Sequence, residues 1–268
     1  MKKNTDINSD VELINDVLNY YKISGRHELV WRKKISAYKI LVSEVMLQQT
    51  QVTRVIPKFL EWMKKFPTLR VLRGASLQEV LILWQGLGYQ RRAKALLAVA
   101  KEVSRLPVSY DELRKLPGIG PYTASAICAF AYDAFTHPVL ETNIRTVLIE
   151  YFHLGENDIH DGVLYDDLDR LVSYQAVKEL GARHFYYALM DYGAYLKSQK
   201  ISHNKKSAHH TVQSAYKGSF RELRAKALFA ITHGEILPQD MRLPKVLEKL
   251  AQEKYIVHKK GKYVLLEV

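Results

Sequence analysis

The sequence predicts an all-α fold with a small C-terminal α+β module, and three observations carry that prediction. Apolar residues recur at three- and four-residue spacing through most of the first two hundred positions, with no clear alternating strand pattern. Proline and glycine interrupt the pattern often, so the helices are short and joined by short loops. Two β-prone runs appear only near the end: Tyr255-Ile256-Val257-His258 and Tyr263-Val264-Leu265-Leu266. They flank a basic turn, Lys259-Lys260-Gly261-Lys262.

Taken in order, residues 39–49, 77–84, 92–104, 123–130 and 144–151 read as helices with an apolar stripe. Pro57, Pro67, Gly86, Gly88, Pro107, the stretch from Pro117 to Pro121, and Pro138 punctuate them, which predicts a helical body. Residues 203–218 are polar, basic and aperiodic. Their histidines at 203, 209 and 210 have no acidic or cysteine companion nearby and read as surface residues rather than metal ligands. Residues 219–233 and 243–254 return to helical texture, with Leu223, Ala227, Ala230 and Ile231 on one stripe and Leu247 and Leu250 on the other. Helix, short helix, helix and hairpin is the layout of a winged helix. Such a module contacts DNA, mediates protein contacts or caps a core; the basic turn favours DNA.

The chain has 268 residues and a formal net charge of +12. From residue 201 onward there are 13 lysines and arginines against 6 acids, so that stretch carries more than half of the excess. Such a balance favours a polyanionic partner and says nothing about fold. The single cysteine, Cys128, lies in an apolar run, which excludes an internal disulfide and a four-cysteine zinc or iron–sulfur site. The first residues are polar and no apolar run reaches membrane-spanning length. The expectation is a soluble monomer in the cytoplasm, nucleoid-associated in a prokaryote, with no membrane partner and no metal.

Leu116-Pro117-Gly118-Ile119-Gly120-Pro121-Tyr122-Thr123-Ala124 joins two helical patterns through a glycine-rich turn. Gly118 and Gly120 permit conformations and close approaches that a side chain obstructs. Pro121 suits the first turn of the next helix, whose free amides can hold a phosphate oxygen. A hairpin of this kind grips a nucleic-acid backbone without reading bases, and an ordinary helix–loop–helix connection is the alternative. Two carboxylates stand out by context. Glu44 lies among apolar helical residues, where a raised pKa suits a general acid; a helix-surface glutamate is the alternative. Glu141 opens a helix, as a cap or as a catalytic group if folding brings it opposite Glu44.

At these residues the chain resembles the helix–hairpin–helix base-excision DNA glycosylases, most nearly the MutY-type adenine glycosylases. The resemblance runs from about residue 30 to 194 and rests on several motifs in the family's order. These are Trp31-Arg32, the string from Ser43 to Gln51, Trp84-Gln85-Gly86-Leu87-Gly88-Tyr89, the hairpin, Glu141-Thr142-Asn143, and Met190-Asp191-Tyr192-Gly193-Ala194. It implies that Glu44 is the acid that protonates the base, that Tyr122 is an active-site tyrosine, and that Asn143 partners the catalytic carboxylate. It places Trp31, Arg32, Gln48, Gln49, Tyr89 and Asp191 in lesion recognition, with Tyr89 as the aromatic wedge; for Asp191 a helix-surface position is the alternative. Gly118 and Gly120 would grip the DNA backbone. Lys205, Lys206, Lys259, Lys260 and Lys262 are the expected backbone contacts outside the hairpin.

Bifunctional relatives such as endonuclease III carry a lysine just after the hairpin, whereas tyrosine cannot form an imine. The resemblance therefore implies a monofunctional enzyme that hydrolyses the N-glycosidic bond of a flipped base in double-stranded DNA. Adenine opposite 8-oxoguanine is the leading substrate. Uracil or thymine mismatches, hypoxanthine, alkylated purines or non-catalytic DNA binding are the alternatives. Three departures stand out. Glu141 occupies a position where the family has aspartate, the four cluster cysteines are missing, and a winged-helix-like segment replaces the family's C-terminal module. No iron–sulfur cluster or other cofactor is expected, with a monovalent cation at the hairpin left open. The expected organisation is a central lobe at 31–134, a second lobe from 1–30 and 135–202, a basic linker or DNA-facing loop at 203–218, and a winged-helix-like domain at 219–268. The cleft is expected between the two lobes.

Overall fold

The computed structural model describes residues 7–209, 214–259 and 261–266. Helices appear where the apolar spacing predicts them. In chain order they are α1 (Ile7–Ser24), α2 (Ala37–Leu47), α3 (Val52–Lys65), α4 (Leu69–Arg73), α5 (Leu77–Trp84), α6 (Arg91–Glu102) and α7 (Tyr110–Lys115). After the hairpin come α8 (Pro121–Tyr132), α9 (Thr142–Phe152), α10 (Asp161–Val172), α11 (Gln175–Leu180), α12 (Ala182–Ser198), α13 (Phe220–His233) and α14 (Leu243–Gln252). One antiparallel hairpin follows, β1 (Ile256–Lys259) and β2 (Lys262–Leu265), with Ile256 opposite Leu265 and Lys259 opposite Lys262. The all-α body with a small α+β end is as expected. Among the described residues no helix is long and apolar enough to cross a membrane.

The chain divides into two compact units: residues 1–45 with 106–211, and residues 46–105 with 212–268. This differs from the lobes and separate C-terminal domain drawn from the sequence, and the packing explains why. In the first unit α12 packs against α1, α8 and α9. Phe130 of α8 stacks on Tyr187 of α12 with ring centres 4.6 Å apart. The end of α8 is closed by Arg183, whose Nε donates to the Phe130 carbonyl at 2.6 Å. These contacts bind the helix after the hairpin to the flanking segments. The α9–α12 crossing depends on Gly193, where a Cβ would stand 2.2 Å from the Asn143 carbonyl oxygen. A buried charge network adds α10: Arg170 reaches Asp10 of α1 at 2.9 Å and Asp167 at 2.8 Å, and His153 meets Asp167 at 2.6 Å.

Residues 199–209 are not a free linker. Ile159 donates to the Lys206 carbonyl at 2.8 Å and accepts from the Ala208 amide at 3.0 Å, forming a short parallel bridge. His203 pairs with Glu150, and the Lys206 ammonium donates to the Leu154 carbonyl. Lys206 is therefore a staple within the unit, which corrects its assignment as a DNA contact, whereas Lys205 is exposed.

In the second unit Trp62 meets Trp84 edge-on at 5.6 Å and Phe66 at 5.2 Å, joining α3 to α5. Ser76 and Glu79 form a reciprocal capping box that starts α5. The C-terminal module is part of this unit rather than a domain of its own. Gln78 donates to the Thr232 carbonyl at 2.8 Å, and the Lys94 ammonium bridges the carbonyls of Glu253 and Lys254 at 2.7 and 2.9 Å. Within it α13 packs on α14. Arg224 holds Glu253 through two bonds of 2.7 and 2.5 Å. The short helix expected between them is absent, because Gly234 ends α13 in a left-handed conformation (φ 70°) and an irregular segment with Pro238 follows.

Candidate active site

Glu44 is set on the last turns of α2, a helix otherwise made of apolar residues, Ser43 and Lys39, and it is only 4% exposed. Burial disfavours its charged form and raises its pKa to about 7. The negative charge of Glu141 pushes in the same direction, while the Tyr122 hydroxyl and the Arg32 charge push the other way. Tyr122 stands one residue inside α8, directly after the proline that opens that helix, and its hydroxyl donates to Glu44 Oε2 at 2.8 Å. Burial first, then the Glu44 and Glu141 charges, hold the Tyr122 proton in place, so the tyrosine is a lasting donor. The result is a carboxyl group that is part-protonated near neutrality and fixed in direction by one phenol.

Around this pair lies a cluster of side chains that the sequence indicates only in part. Trp31 and Arg32 lie in a 3-10 turn, and Trp31 is 3% exposed, a core residue. The Arg32 guanidinium lies 4.0 Å over the Tyr187 ring and donates to both oxygens of Asp191, at 2.7 and 2.9 Å. Arg26 adds its backbone amide at 2.8 Å and its Nε at 2.7 Å to the same carboxylate. Burial opposes ionisation of Asp191, but the two arginines outweigh it and hold the group below the ordinary carboxylate range. The helix-surface reading of Asp191 is thus corrected: it is 1% exposed, and its two oxygens are taken up by four donors. Any part it plays in a base pocket is through Arg26 and Arg32. Arg32 Nε and the Tyr187 hydroxyl are buried with no hydrogen-bond partner among the described residues, which leaves two polar atoms for water or substrate. Neither Arg26 nor Tyr187 was indicated by the sequence, since an arginine in a polar stretch and a tyrosine on an apolar stripe carry no distinctive signal.

Glu141 caps α9. Its Oε1 accepts from the Ile144 amide at 3.2 Å, and its Oε2 accepts from Thr142 Oγ1 at 3.0 Å and Asn143 Nδ2 at 3.3 Å. The carboxylate therefore sits at the positive end of a helix dipole, close enough to act on Glu44. Asn143 binds Glu141, not Glu44. Of the two roles left open by the sequence, the cap is present, and the charge of this cap also acts on the buried acid.

The hairpin links α7 to α8. Arg114 braces the turn by donating to the Ile119 carbonyl at 3.2 Å. Gly118 adopts φ 74°, which requires glycine in practice. Gly120 does not, since it is extended (φ −80°, ψ 175°) and a Cβ there would meet no neighbour within 4 Å among the described residues.

The remaining recognition residues lie in the second unit. Gln48 is half-buried, and Gln49 is exposed in a left-handed conformation (φ 55°). Gly86, Gly88 and Tyr89 also have positive φ, at 88°, 71° and 45°. Both loops are held by one residue that the sequence did not single out. Buried Arg92 donates to the carbonyls of Met46 at 3.2 Å, Gln48 at 2.7 Å, Leu87 at 2.8 Å and Gly88 at 3.2 Å. Burial lowers its pKa to about 10, so it stays charged at neutral pH. Lys259 and Lys262 are exposed at the hairpin tip, and Lys260 lies outside the described residues. The residues present do not fit a four-cysteine iron–sulfur cluster, because the one cysteine is buried within α8.

Residues 42–172 match the family described as HhH-GPD superfamily base excision DNA repair protein. The chain is 41% identical to the adenine DNA glycosylase of Mycolicibacterium smegmatis over 185 residues, which is 67% of this chain and 61% of that protein. It is 37% identical to the adenine DNA glycosylase of Buchnera aphidicola subsp. Baizongia pistaciae over 184 residues, or 66% of this chain and 51% of that one. Among solved structures it is similar to a thermostable thymine-DNA glycosylase, with a TM-score of 0.60 and 20% identity over 74% of this chain and 92% of the other. At that identity the likeness establishes the fold alone. The chain spans about half the length of the curated relatives it matches.

Proposed function

From the match of residues 42–172 to the HhH-GPD superfamily, we propose that this chain is a monofunctional DNA glycosylase removing adenine opposite 8-oxoguanine. The observation that carries the proposal is the Glu44–Tyr122 pair, a buried carboxyl with a pKa of about 7 aimed by a phenol donor. A purine leaves as a poor anion unless it is protonated, and an acid poised near the working pH suits that transfer.

With the adenine flipped out of the stack, the Glu44 carboxyl gives its proton to a ring nitrogen of the base. The C1′–N9 bond then breaks, its electron pair goes to the departing adenine, and the sugar becomes an oxocarbenium ion. The charge of Glu141, held at the start of α9, stabilises that cation together with the newly ionised Glu44. Water adds to C1′ and returns a proton to Glu44, leaving an abasic site, as in glycoside hydrolysis. The residue facing Glu44 from the hairpin helix is Tyr122, which has no amine to form an imine, so the strand is left intact.

Gly118 and Gly120, Lys205, Lys259 and Lys262 are read as contacts to the phosphate backbone, with Gln48, Gln49 and Tyr89 in the base stack. The absence of any packing reason for Gly120 supports the hairpin's part, since an outside partner then accounts for the missing side chain. The test is incubation of labelled duplexes carrying a panel of mispairs and damaged bases, followed by alkali. The expected result is strand cleavage only after alkali and only at adenine opposite 8-oxoguanine. Cleavage without alkali would reject the monofunctional reading. Product from uracil or thymine mispairs alone would reject the substrate.

A further inference from the structure

The loop at Gly86–Tyr89 is an unfavourable piece of backbone that something must hold. Gly86, Gly88 and Tyr89 all have positive φ, and for tyrosine that conformation is strained. Below the loop, Arg92 binds the carbonyls of Leu87 and Gly88, and Trp84 Nε1 donates to Gly88 at 2.9 Å. These bonds fix the main chain and leave the direction of the Tyr89 ring to other contacts. The ring is half-buried, with Arg91 and Arg92 lying 5.8 and 5.6 Å from its centre.

A third arginine reaches the hydroxyl. Arg221, in the first turn of α13, donates from Nη1 to Tyr89 Oη at 3.0 Å. Its other nitrogen, Nη2, donates to the Ser214 carbonyl at 2.6 Å and to Ser214 Oγ at 3.4 Å. A guanidinium anchored at one end and bonded to a phenol at the other restricts both side-chain torsions of that tyrosine. The helix carrying Arg221 is itself docked on the same unit by the Gln78–Thr232 bond.

We infer that Arg221 is a positioning residue for base extrusion, through which the C-terminal module sets the Tyr89 ring in its pose before DNA arrives. The inference rests on reading Tyr89 as an aromatic that enters the base stack. It gives the module a part in flipping the base, beyond any hold on the phosphate backbone.

The experiment follows extrusion by 2-aminopurine fluorescence under single-turnover conditions. The full chain is mixed with a duplex carrying adenine opposite 8-oxoguanine and 2-aminopurine beside the adenine. Arg221→Met and Tyr89→Phe are each expected to slow extrusion by about tenfold to a hundredfold, the worth of one charge-assisted hydrogen bond. The double variant should be no slower than either single one, because both remove the same bond. Tyr89→Phe deletes one oxygen and keeps the ring, so it keeps the test valid if Arg221→Met loosens the module. Multiplying effects in the double variant, or wild-type extrusion by Tyr89→Phe, would overturn the inference. Tyr89→Ala separates the two levels. If it is slow while Tyr89→Phe is normal, the wedge reading stands and the inference alone falls. If it extrudes at the wild-type rate, the wedge reading itself falls.

Discussion

The acid site in the first unit and the glycine loop in the second are both held by arginine, but in opposite ways. Around Glu44 the bonds run between side chains: phenol to carboxyl at Tyr122, and guanidinium to carboxylate at Arg32 and Asp191. Around Gly86–Tyr89 the main chain is held by bonds from the Arg92 guanidinium and the Trp84 indole to carbonyls. The first arrangement sets charge, since Tyr122 and Arg32 both bear on whether Glu44 keeps its proton. The second sets shape, since Arg92 braces backbone and keeps its proton, and so its charge, through the neutral range. Substitutions in the first region should therefore move the pH dependence of the reaction, and substitutions in the second should change folding or base extrusion while leaving that dependence alone.

The largest expected effect belongs to Asp191→Asn. It leaves the buried Arg32 charge and the part-exposed Arg26 charge without their carboxylate, a loss of about 3–5 kcal/mol in stability by urea unfolding. With those charges uncompensated, the proton on Glu44 becomes less favourable, so the excision midpoint should move to lower pH. An unmoved midpoint would break the assignment of this cluster to charge control. Next is Arg92→Met, which removes the guanidinium from the buried carbonyls of Met46 and Leu87. It should cost about 3 kcal/mol in stability with no change in the pH midpoint. The hairpin offers the smallest and cleanest contrast. Gly118→Ala forces a side chain into left-handed backbone at roughly 1–2 kcal/mol, read as a lower Tm. Gly120→Ala should leave Tm within about 0.5 kcal/mol of wild type yet weaken duplex binding about tenfold in a salt titration. Equal Tm losses in the two variants would put the second glycine back among packing residues.

What the sequence made legible follows the same division. Glu44 and the hairpin declared themselves, because a carboxylate in an apolar run and a Gly-x-Gly-Pro turn are unusual locally, whereas Tyr122 was singled out only by the family resemblance. The glycines at 86 and 88 were visible as a motif. Arg92 was not, since an arginine in the first turn of a helix is indistinguishable from a solvated one until the carbonyls around it are seen. The same blindness to non-local partners made Lys206 look like a DNA contact when its ammonium serves the Leu154 carbonyl. It also made the C-terminal segment look independent, although Lys94 and Gln78 tie it to the preceding helices. Asp191 shows the limit most plainly: four donors on one carboxylate come from residues about 160 positions away in sequence, and periodicity carries no trace of them.

The most direct test of the acid assignment is the single-turnover rate of adenine excision as a function of pH, for the wild type and Glu44→Gln. A carboxyl with a pKa of about 7 in the folded protein is protonated below that value and ionised above it. The wild-type rate should therefore be level in mildly acidic buffer and fall tenfold per unit well above pH 7. Glu44→Gln, which cannot give up a proton, should be at least 10²–10³ slower with no such fall. A rate that rises through neutrality, or a glutamine variant that excises adenine at the wild-type rate, would contradict the account.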